Sequence, residues 1–450
     1  MKELGGRVHL VGIGGDGMAA LARLLWEGGA TVSGSDVRDS ARLAALRPWA
    51  EVYVGHDPEH VPDRTSAIVF SSAVGKNNLE LQAAPDVPAW PRLDALGTVT
   101  RGRDLLAVVG THGKTTTATW ATWLVRKVME EGGHYIGGEV PGLASAAWGQ
   151  GRPFVAEVDE SDGRFVRLRP HGVVLTSIDN DHLGTYGTMG NLVRTFKGFL
   201  RAAEKVAVCR DDPRAAQAGL GLPRPLTFGL HREADLSARG IQYRQGRSCF
   251  EVTFLGKKVG EVEVPAPGPH NVRNALAALA AGLLLGAPCR ELVRALPTAP
   301  RPRRRLEVLE ENGYLVVDDY AHHPTEVAAG LTALRLGWPN RRIVAVFQPH
   351  RYTRTRDLAG AFGRVLAQAD RTVVTEIYPA FESPLPGVSG RWVAEAIRGA
   401  GGHALFRDDL RSALEAAGEL LEPGDILVCF GAGDIWKLAR EMARGLCNGS

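Results

Sequence analysis

Apolar residues along this chain gather into short runs. Each run is followed by a polar, glycine-bearing loop and then by a stretch in which apolar residues recur at helical spacing. The first run, Arg7-Val8-His9-Leu10-Val11, leads through Gly12-Ile13-Gly14-Gly15-Asp16-Gly17 into a predicted helix that reaches about Trp26 and stops at Gly28-Gly29. Residues 31–34, ending at Ser35-Asp36, and residues 67–70 are the next predicted strands. A second block opens near Arg101, with strands predicted up to Val109, over 153–156 and over 172–176. A third block holds strands at 314–317, 343–347 and 426–430. Strands that read as continuous apolar runs, alternating with helices, belong to parallel sheets covered on both faces. The fold class is therefore α/β, and the three blocks predict domains at residues 1–100, 101–300 and 301–450.

Composition acts mainly by exclusion. A chain of 450 residues with 44% hydrophobic and 23% charged residues is ordinary for a soluble protein. The balance of 53 basic against 50 acidic residues gives a net charge of +3, so no global field marks a nucleic-acid partner. The knot Arg301-Pro302-Arg303-Arg304-Arg305 reads as a solvated joint between blocks. Cys209, Cys249, Cys289, Cys429 and Cys447 lie far apart with no C-x-x-C pair, as reduced thiols would. No leader-like segment or membrane-length apolar stretch is read, so a cytoplasmic protein without membrane insertion is expected.

The loops carry the chemistry. In Gly110-Thr111-His112-Gly113-Lys114-Thr115-Thr116 a strand turns through glycines into a helix that begins with lysine and threonine. Unpaired N–H groups and the dipole at such a helix start attract phosphate, Lys114 would reach the terminal phosphates, and Thr115 would hold magnesium. The loop is a shortened variant, because Val108 stands where the usual motif has its first glycine. Glu157, Asp159, Glu160 and Asp162 follow one strand, and Asp181-His182 follows another, so hard ligands for magnesium are near in sequence. The earlier Gly12-x-Gly14-x-x-Gly17, with Asp36 lying 19 residues beyond Gly17, has the form of a dinucleotide fingerprint and by itself says only diphosphate. Ser71 and Ser72 sit at a strand end facing the crevice of such a sheet. Asn271, in Pro267-Gly268-Pro269-His270-Asn271-Val272-Arg273-Asn274, either meets a nucleobase or caps a helix. Adjacent His322 and His323 lack the spacing of a metal site, whereas Arg351 and Arg354, just after a buried strand, read as clamps for a carboxylate or phosphate.

These motifs together, with Asp159-Glu160-Ser161-Asp162, Asp318-Asp319-Tyr320-Ala321-His322-His323-Pro324-Thr325-Glu326 and the run from Phe347 to Leu358, resemble the Mur ligases over nearly the whole chain and in the family's order. The details look like the branch that adds L-alanine to UDP-N-acetylmuramate. The resemblance implies an N-terminal Rossmann-like domain, a central P-loop ATPase-type domain and a C-terminal Rossmann-like domain. It implies ATP and Mg2+ as cofactors, with UDP-N-acetylmuramate and L-alanine joined through an acyl phosphate. Gly14, Gly15, Gly17, Asp36, Ser71 and Ser72 would then hold the sugar nucleotide, which replaces hydride transfer as the use of the first glycine loop. Gly110 to Thr116 would hold the ATP phosphates, Asn271 and Asn274 adenine, and Asp319 the ribose region. Thr115, Glu160 and His182 would ligate the metal, and Tyr320, His322, His350, Arg351 and Arg354 would line the alanine site. Lys114, Arg351 and Arg354 would act directly in catalysis, with His182 or His322 receiving the proton that the amine must lose.

Other readings remain open at this point. A ligase of the same superfamily that attaches a murein tripeptide shares the phosphate turn, although the run His350-Arg351-Tyr352-Thr353-Arg354-Thr355-Arg356 favours a single amino acid. An NAD-dependent dehydrogenase would leave Lys114 unexplained, and a silent binding module would leave the phosphate and magnesium residues without a task. Asp16 and Asp434 depart from the expected Ala and Asn. A monomer or homodimer is expected.

Overall fold

A computed structural model describes residues 4–129, 131–311 and 313–448. The chain forms two compact units. The first comprises residues 1–240, 250–263 and 273–300; the second comprises 241–249, 264–272 and 301–450.

In the first unit a five-stranded parallel sheet has the order Glu51–Val54, Thr31–Asp36, Arg7–Val11, Thr65–Phe70, Ala89–Pro91. The order reverses beside Arg7–Val11, which opens a crevice at the C-terminal ends of the strands. The glycine loop and Ser71 both emerge at that point. The helix Asp16–Glu27 buries Met18, Leu21, Leu24 and Leu25, and Gly28 and Gly29 end it by donating to Leu24 and Trp26 carbonyls. A larger sheet places Asp104–Val109, the strand of the phosphate turn, between Gly172–Leu175 and Pro153–Glu157, all parallel.

The second unit carries a sheet ordered Glu307–Glu310, Leu315–Asp319, Ile426–Phe430, Ile343–Phe347, Arg371–Thr375, Ala404–Arg407. Alternate residues of its strands fill two cores. Leu315, Val317, Ile343, Ala345, Phe347, Ile426, Val428 and Phe430 pack on one face, and Val316, Val344, Val346, Leu427 and Cys429 on the other. Burial on both faces explains the unbroken apolar runs, and each such Val, Leu, Ile or Phe side chain contributes about 1.5–3 kcal/mol.

The α/β expectation holds, and the sequence reading also left unnamed the strands Glu51–Val54, Ala89–Pro91, Lys205–Cys209, Arg371–Thr375 and Ala404–Arg407. Glu307–Glu310 pairs antiparallel with Leu315–Asp319. Residues 226–264, for which no strands were predicted, contain Leu226–Gly229, Leu236–Arg244, Arg247–Phe254 and Lys257–Val264. Their tight turns use left-handed pairs, Gln245 (φ 46°) with Gly246 (φ 71°) and Leu255 (φ 50°) with Gly256 (φ 77°), as two-residue hairpins require. Gln245 and Leu255 lack the Asn or Asp signal that would have announced them. Finally, Asn271 is not a helix cap: the helix runs Pro269–Leu284, and the Asn271 amide donates back to the Pro267 carbonyl at 2.8 Å.

Cys209, Cys289 and Cys429 are free thiols, while the Cys447 side chain lies outside the described residues. Among the described residues no helix is long and apolar enough to cross a membrane.

Candidate active site

At the sheet crevice the first glycine loop is held by backbone. Gly12 and Ile13 N–H groups donate to the Ser35 carbonyl (2.8 and 3.0 Å), and the Gly14 N–H donates to Asp36 Oδ2 at 2.9 Å. Asp36 therefore closes the turn from within. Gly12 takes φ 81°, a left-handed value natural to glycine. Ser71 donates its N–H to Val11, and its side chain faces Gly12, whereas Ser72 is exposed. Gly15 precedes the helix Asp16–Glu27 with no side-chain cap, which leaves the N-terminal donors of that helix to the loop side. Gly17 meets other protein groups: a Cβ there would lie 2.5 Å from Arg92 Nη1 and 2.6 Å from the Tyr135 hydroxyl. Arg92 donates to that hydroxyl (2.6 Å), which donates to the Gly17 carbonyl (3.0 Å), and Arg92 also lies 3.6 Å from Asp159. One guanidinium thus connects the glycine loop to the acidic run of the neighbouring sheet.

The phosphate turn is built against the strand beside it. Gly110 has φ 123° and no space for a side chain, since a Cβ would fall 2.4 Å from Thr176 Oγ1 and 2.7 Å from the Ser177 carbonyl. The Thr176 hydroxyl donates to the His112 carbonyl at 2.6 Å, and the His112 N–H donates to Ser177 Oγ at 3.0 Å. The His112 ring lies 3.0 Å from Asp179, whose N–H donates to the Thr111 hydroxyl at 2.9 Å. Gly113 (φ 82°) ends the turn, and Asn274 Oδ1 occupies the position a Cβ would need. The helix Lys114–Val128 then starts without a side-chain cap, with Thr116 buried in its first turn.

Lys114 Nζ donates to the Gly110 carbonyl (2.6 Å) and to Glu160 Oε2 (2.9 Å). Burial works against its ammonium, but Glu160, Asp159 and Glu157 outweigh that cost and hold its pKa above the ordinary lysine value. Burial likewise works against an ionised Asp159, and Lys114, Arg92 and Ser161 keep it below the usual carboxylate range. The Thr115 hydroxyl donates to Glu157 Oε1 at 2.7 Å, and Glu157 Oε2 accepts the Gly137 N–H at 2.7 Å. Among the described residues Glu160 Oε1 is buried without a hydrogen-bond partner. Burial lifts the Glu160 carboxyl above its ordinary value, with Lys114 opposing and Asp159 adding to the rise. His182, in a left-handed conformation at φ 59°, lies 3.6 Å from Asp181.

In the second unit three loops emerge from the C-terminal ends of adjacent strands. Asp319 is buried and accepts the Leu306 and Ala321 N–H groups (2.8 and 2.7 Å). His322 and His323 serve different neighbours. The His322 N–H reaches Glu326 (3.0 Å) and its Nδ1 lies 3.0 Å from the Tyr320 carbonyl, while His323 Nδ1 accepts the Thr325 N–H at the start of the helix Pro324–Gly337. Tyr320, His322, His350 and Tyr378 form a run of rings, with centroids 5.4, 5.5 and 5.8 Å apart in turn. Arg351 adopts φ 70° immediately before the helix Tyr352–Leu366, and Arg354, one turn on, lies 3.3 Å from His350 Nδ1. Asp434 accepts the Gln348 amide at 2.8 Å, so its carboxylate is used within the protein.

Sequence reasoning named Glu157 only as one of four carboxylates and did not name Arg92, Tyr135 or Glu382. Glu157 ends the strand paired beside the phosphate-turn strand, with Val108 opposite it, and that strand order is the signal that locates it. Glu382 accepts the N–H and hydroxyl of Thr353 (3.0 and 2.6 Å) at the start of the arginine-bearing helix.

Comparison with known proteins supplies the class. The description "Mur ligase family, catalytic domain" matches residues 7–103, "Mur ligase middle domain" residues 108–282, and "Mur ligase, glutamate ligase domain" residues 304–433. This chain belongs to the Mur ligase family. It is 40% identical to UDP-N-acetylmuramate--L-alanine ligase of Desulfosudis oleivorans, over 97% of this chain and 98% of that protein. With the ligase of the same name from Halorhodospira halophila the identity is 41%, over 98% and 94%. The solved UDP-N-acetylmuramate-alanine ligase of Thermotoga maritima matches with a TM-score of 0.84 at 27% identity, covering 99% of this chain and 100% of that one.

Proposed function

We propose that this chain joins L-alanine to the lactyl carboxylate of UDP-N-acetylmuramate at the expense of ATP, a step of peptidoglycan precursor synthesis that takes place in the cytoplasm. The observation that carries the reading is the likeness, over nearly the full length of both chains, to ligases of that name. On this reading residues 1–100 hold the sugar nucleotide, 101–300 the ATP phosphates, and 301–450 the amino acid.

Moving a carboxylate onto a triphosphate brings like charges together, so positive charge must be in place beforehand. Lys114, kept protonated by its carboxylate neighbours, supplies one such charge where the helix N–H groups already favour an anion. Glu160, with a buried oxygen left unsatisfied, and the Thr115 hydroxyl are hard donors that fit Mg2+, with His182 as a third ligand. When bound, the cation spreads the negative charge of the phosphates and of the approaching carboxylate. Asn274, against Gly113, and Asn271 take the adenine edge, and Asp319 takes the ribose. The substrate carboxylate oxygen bonds to the γ-phosphorus as the bond to ADP breaks. The alanine nitrogen then bonds to the acyl carbon, and phosphate leaves.

Arg351 and Arg354 hold the alanine carboxylate, and the rings of Tyr320 and His350 border its side chain. The amine must shed a proton before it attacks. His322, whose Nδ1 lies 3.0 Å from the Tyr320 carbonyl beside these rings, is an imidazole that suits the role of acceptor.

A phosphate-release assay with ATP, UDP-N-acetylmuramate and a panel of L-alanine, glycine, L-serine and the murein tripeptide tests the proposal. L-Alanine is expected to give the highest kcat/KM. Preference for the tripeptide would replace it with the recycling reading.

A further inference from the structure

Beneath the first glycine loop lies a carboxylate that the proposed chemistry does not use. Glu80, on the short helix Leu79–Ala83, is completely buried. Its Oε2 accepts the Ser35 hydroxyl at 2.5 Å and lies 3.4 Å from both His9 Nε2 and His56 Nδ1. Its Oε1 accepts the Asp57 N–H at 3.3 Å and lies 3.4 Å from His60 Nδ1. His9 reaches on to Ser33 at 3.0 Å, and Tyr53 stacks on His60 at 4.4 Å. One carboxylate therefore gathers groups from Arg7–Val11, from Thr31–Asp36 and from the segment after Glu51–Val54. A buried charge is costly, and apolar packing of the same volume would usually serve stability as well.

What this arrangement does hold is Ser35, whose carbonyl is the acceptor for the Gly12 and Ile13 N–H groups. We infer that Glu80 is a positioning residue for the sugar nucleotide, acting through Ser35 to hold the Gly12–Gly17 turn in the shape that receives a diphosphate. The inference rests on the function proposed above. Displacing a loop that cradles an anion weakens binding of that ligand and leaves the ATP and amino-acid sites as they were.

Glu80→Gln and Ser35→Ala are measured beside the wild type in steady-state assays that vary each substrate in turn, with calorimetric titration of UDP-N-acetylmuramate and thermal melts. Glu80→Gln, which keeps the shape and removes the charge, is expected to raise KM for UDP-N-acetylmuramate at least about tenfold, with KM for ATP and L-alanine changed by less than about twofold. Ser35→Ala, which keeps the carbonyl and removes one donor, is expected to raise it about three- to fivefold. A lowered melting temperature with sugar-nucleotide KM unchanged in both variants would make Glu80 a stability residue only and overturn the inference. Should Glu80→Gln fail to fold, Ser35→Ala decides alone by the same criterion. A wild type that neither turns over nor binds UDP-N-acetylmuramate would instead defeat the functional reading itself, and the positioning role with it.

Discussion

A lysine enclosed by carboxylates keeps its proton, and Lys114 is so placed that its charge and the phosphate turn are a single feature. Lys114→Met is expected to lower turnover by about 10²–10³-fold or more, the scale on which single stabilising groups of this kind act. UDP-N-acetylmuramate affinity should stay within about twofold if the Gly12–Gly17 loop, which belongs to another sheet, holds that ligand. Calorimetry alongside the assay reads both, and equal loss of the two would refute the assignment of the loops.

Asp318 makes a different residue-scale case. It is fully buried, with Arg304 Nε 3.3 Å away. Burial pushes its pKa up to about 6 from 3.8, with Asp319 and Glu307 adding to the rise and Arg304 opposing it. A folded-state value above the unfolded one means that the stability tied to this proton is complete below pH 3.8 and lost as pH rises through about 6. Going from about pH 7.5 to about pH 5 should stabilise the wild type by about 1 kcal/mol more than Asp318→Asn in urea denaturation. Identical pH dependence in the two proteins would refute the buried-carboxylate account.

At the scale of elements, the recurring unit is a buried strand that passes through glycine into a helix lacking a side-chain cap, seen at Gly12–Gly17 and again at Gly110–Lys114. Uncapped N-termini are ordinarily a cost of about 0.5–2 kcal/mol, offset when an anion occupies them. Gly110→Ala tests how tightly the second unit of this kind is built. With φ at 123° and Thr176 and Ser177 within 2.8 Å of the new methyl group, the turn must open. A loss of about 2–4 kcal/mol in stability and a KM for ATP raised at least about tenfold are expected. A variant that melts and turns over like the wild type would mean that the strand after the turn plays no part in shaping it. The strands and glycines of these units were legible in the sequence, because periodicity and turn chemistry are local. Their neighbours were not: Glu157, Thr176 and Ser177 reach the turn only through the order of strands in the sheet.

At the scale of the whole molecule, the glycine loop and Lys114 belong to one unit and Arg351 and Arg354 to the other. If an acyl phosphate forms first, hydroxylamine should trap it as a hydroxamate when alanine is left out. Arg351→Ala should keep that trapping within about threefold of wild type while raising KM for L-alanine at least about tenfold, since a lost charge-paired contact acts on the ligand that makes it. Equal loss of trapping and of alanine use would place Arg351 with the phosphates instead.

The linear order of residues determined by itself the α/β class, the strands that end in polar loops, and the glycines that shape the turns into the following helices, because short-range sterics and periodicity decide these. Tertiary structure alone decided that Gly17 faces Arg92 and Tyr135, that Glu157 rather than a later carboxylate accepts the Thr115 hydroxyl, and that Glu80 lies under Ser35. Each of these contacts joins residues 42 to 118 positions apart. Nothing local distinguishes a carboxylate destined for the interior from one left in water; the order in which strands pair, set by burial of both faces of a sheet, makes that choice.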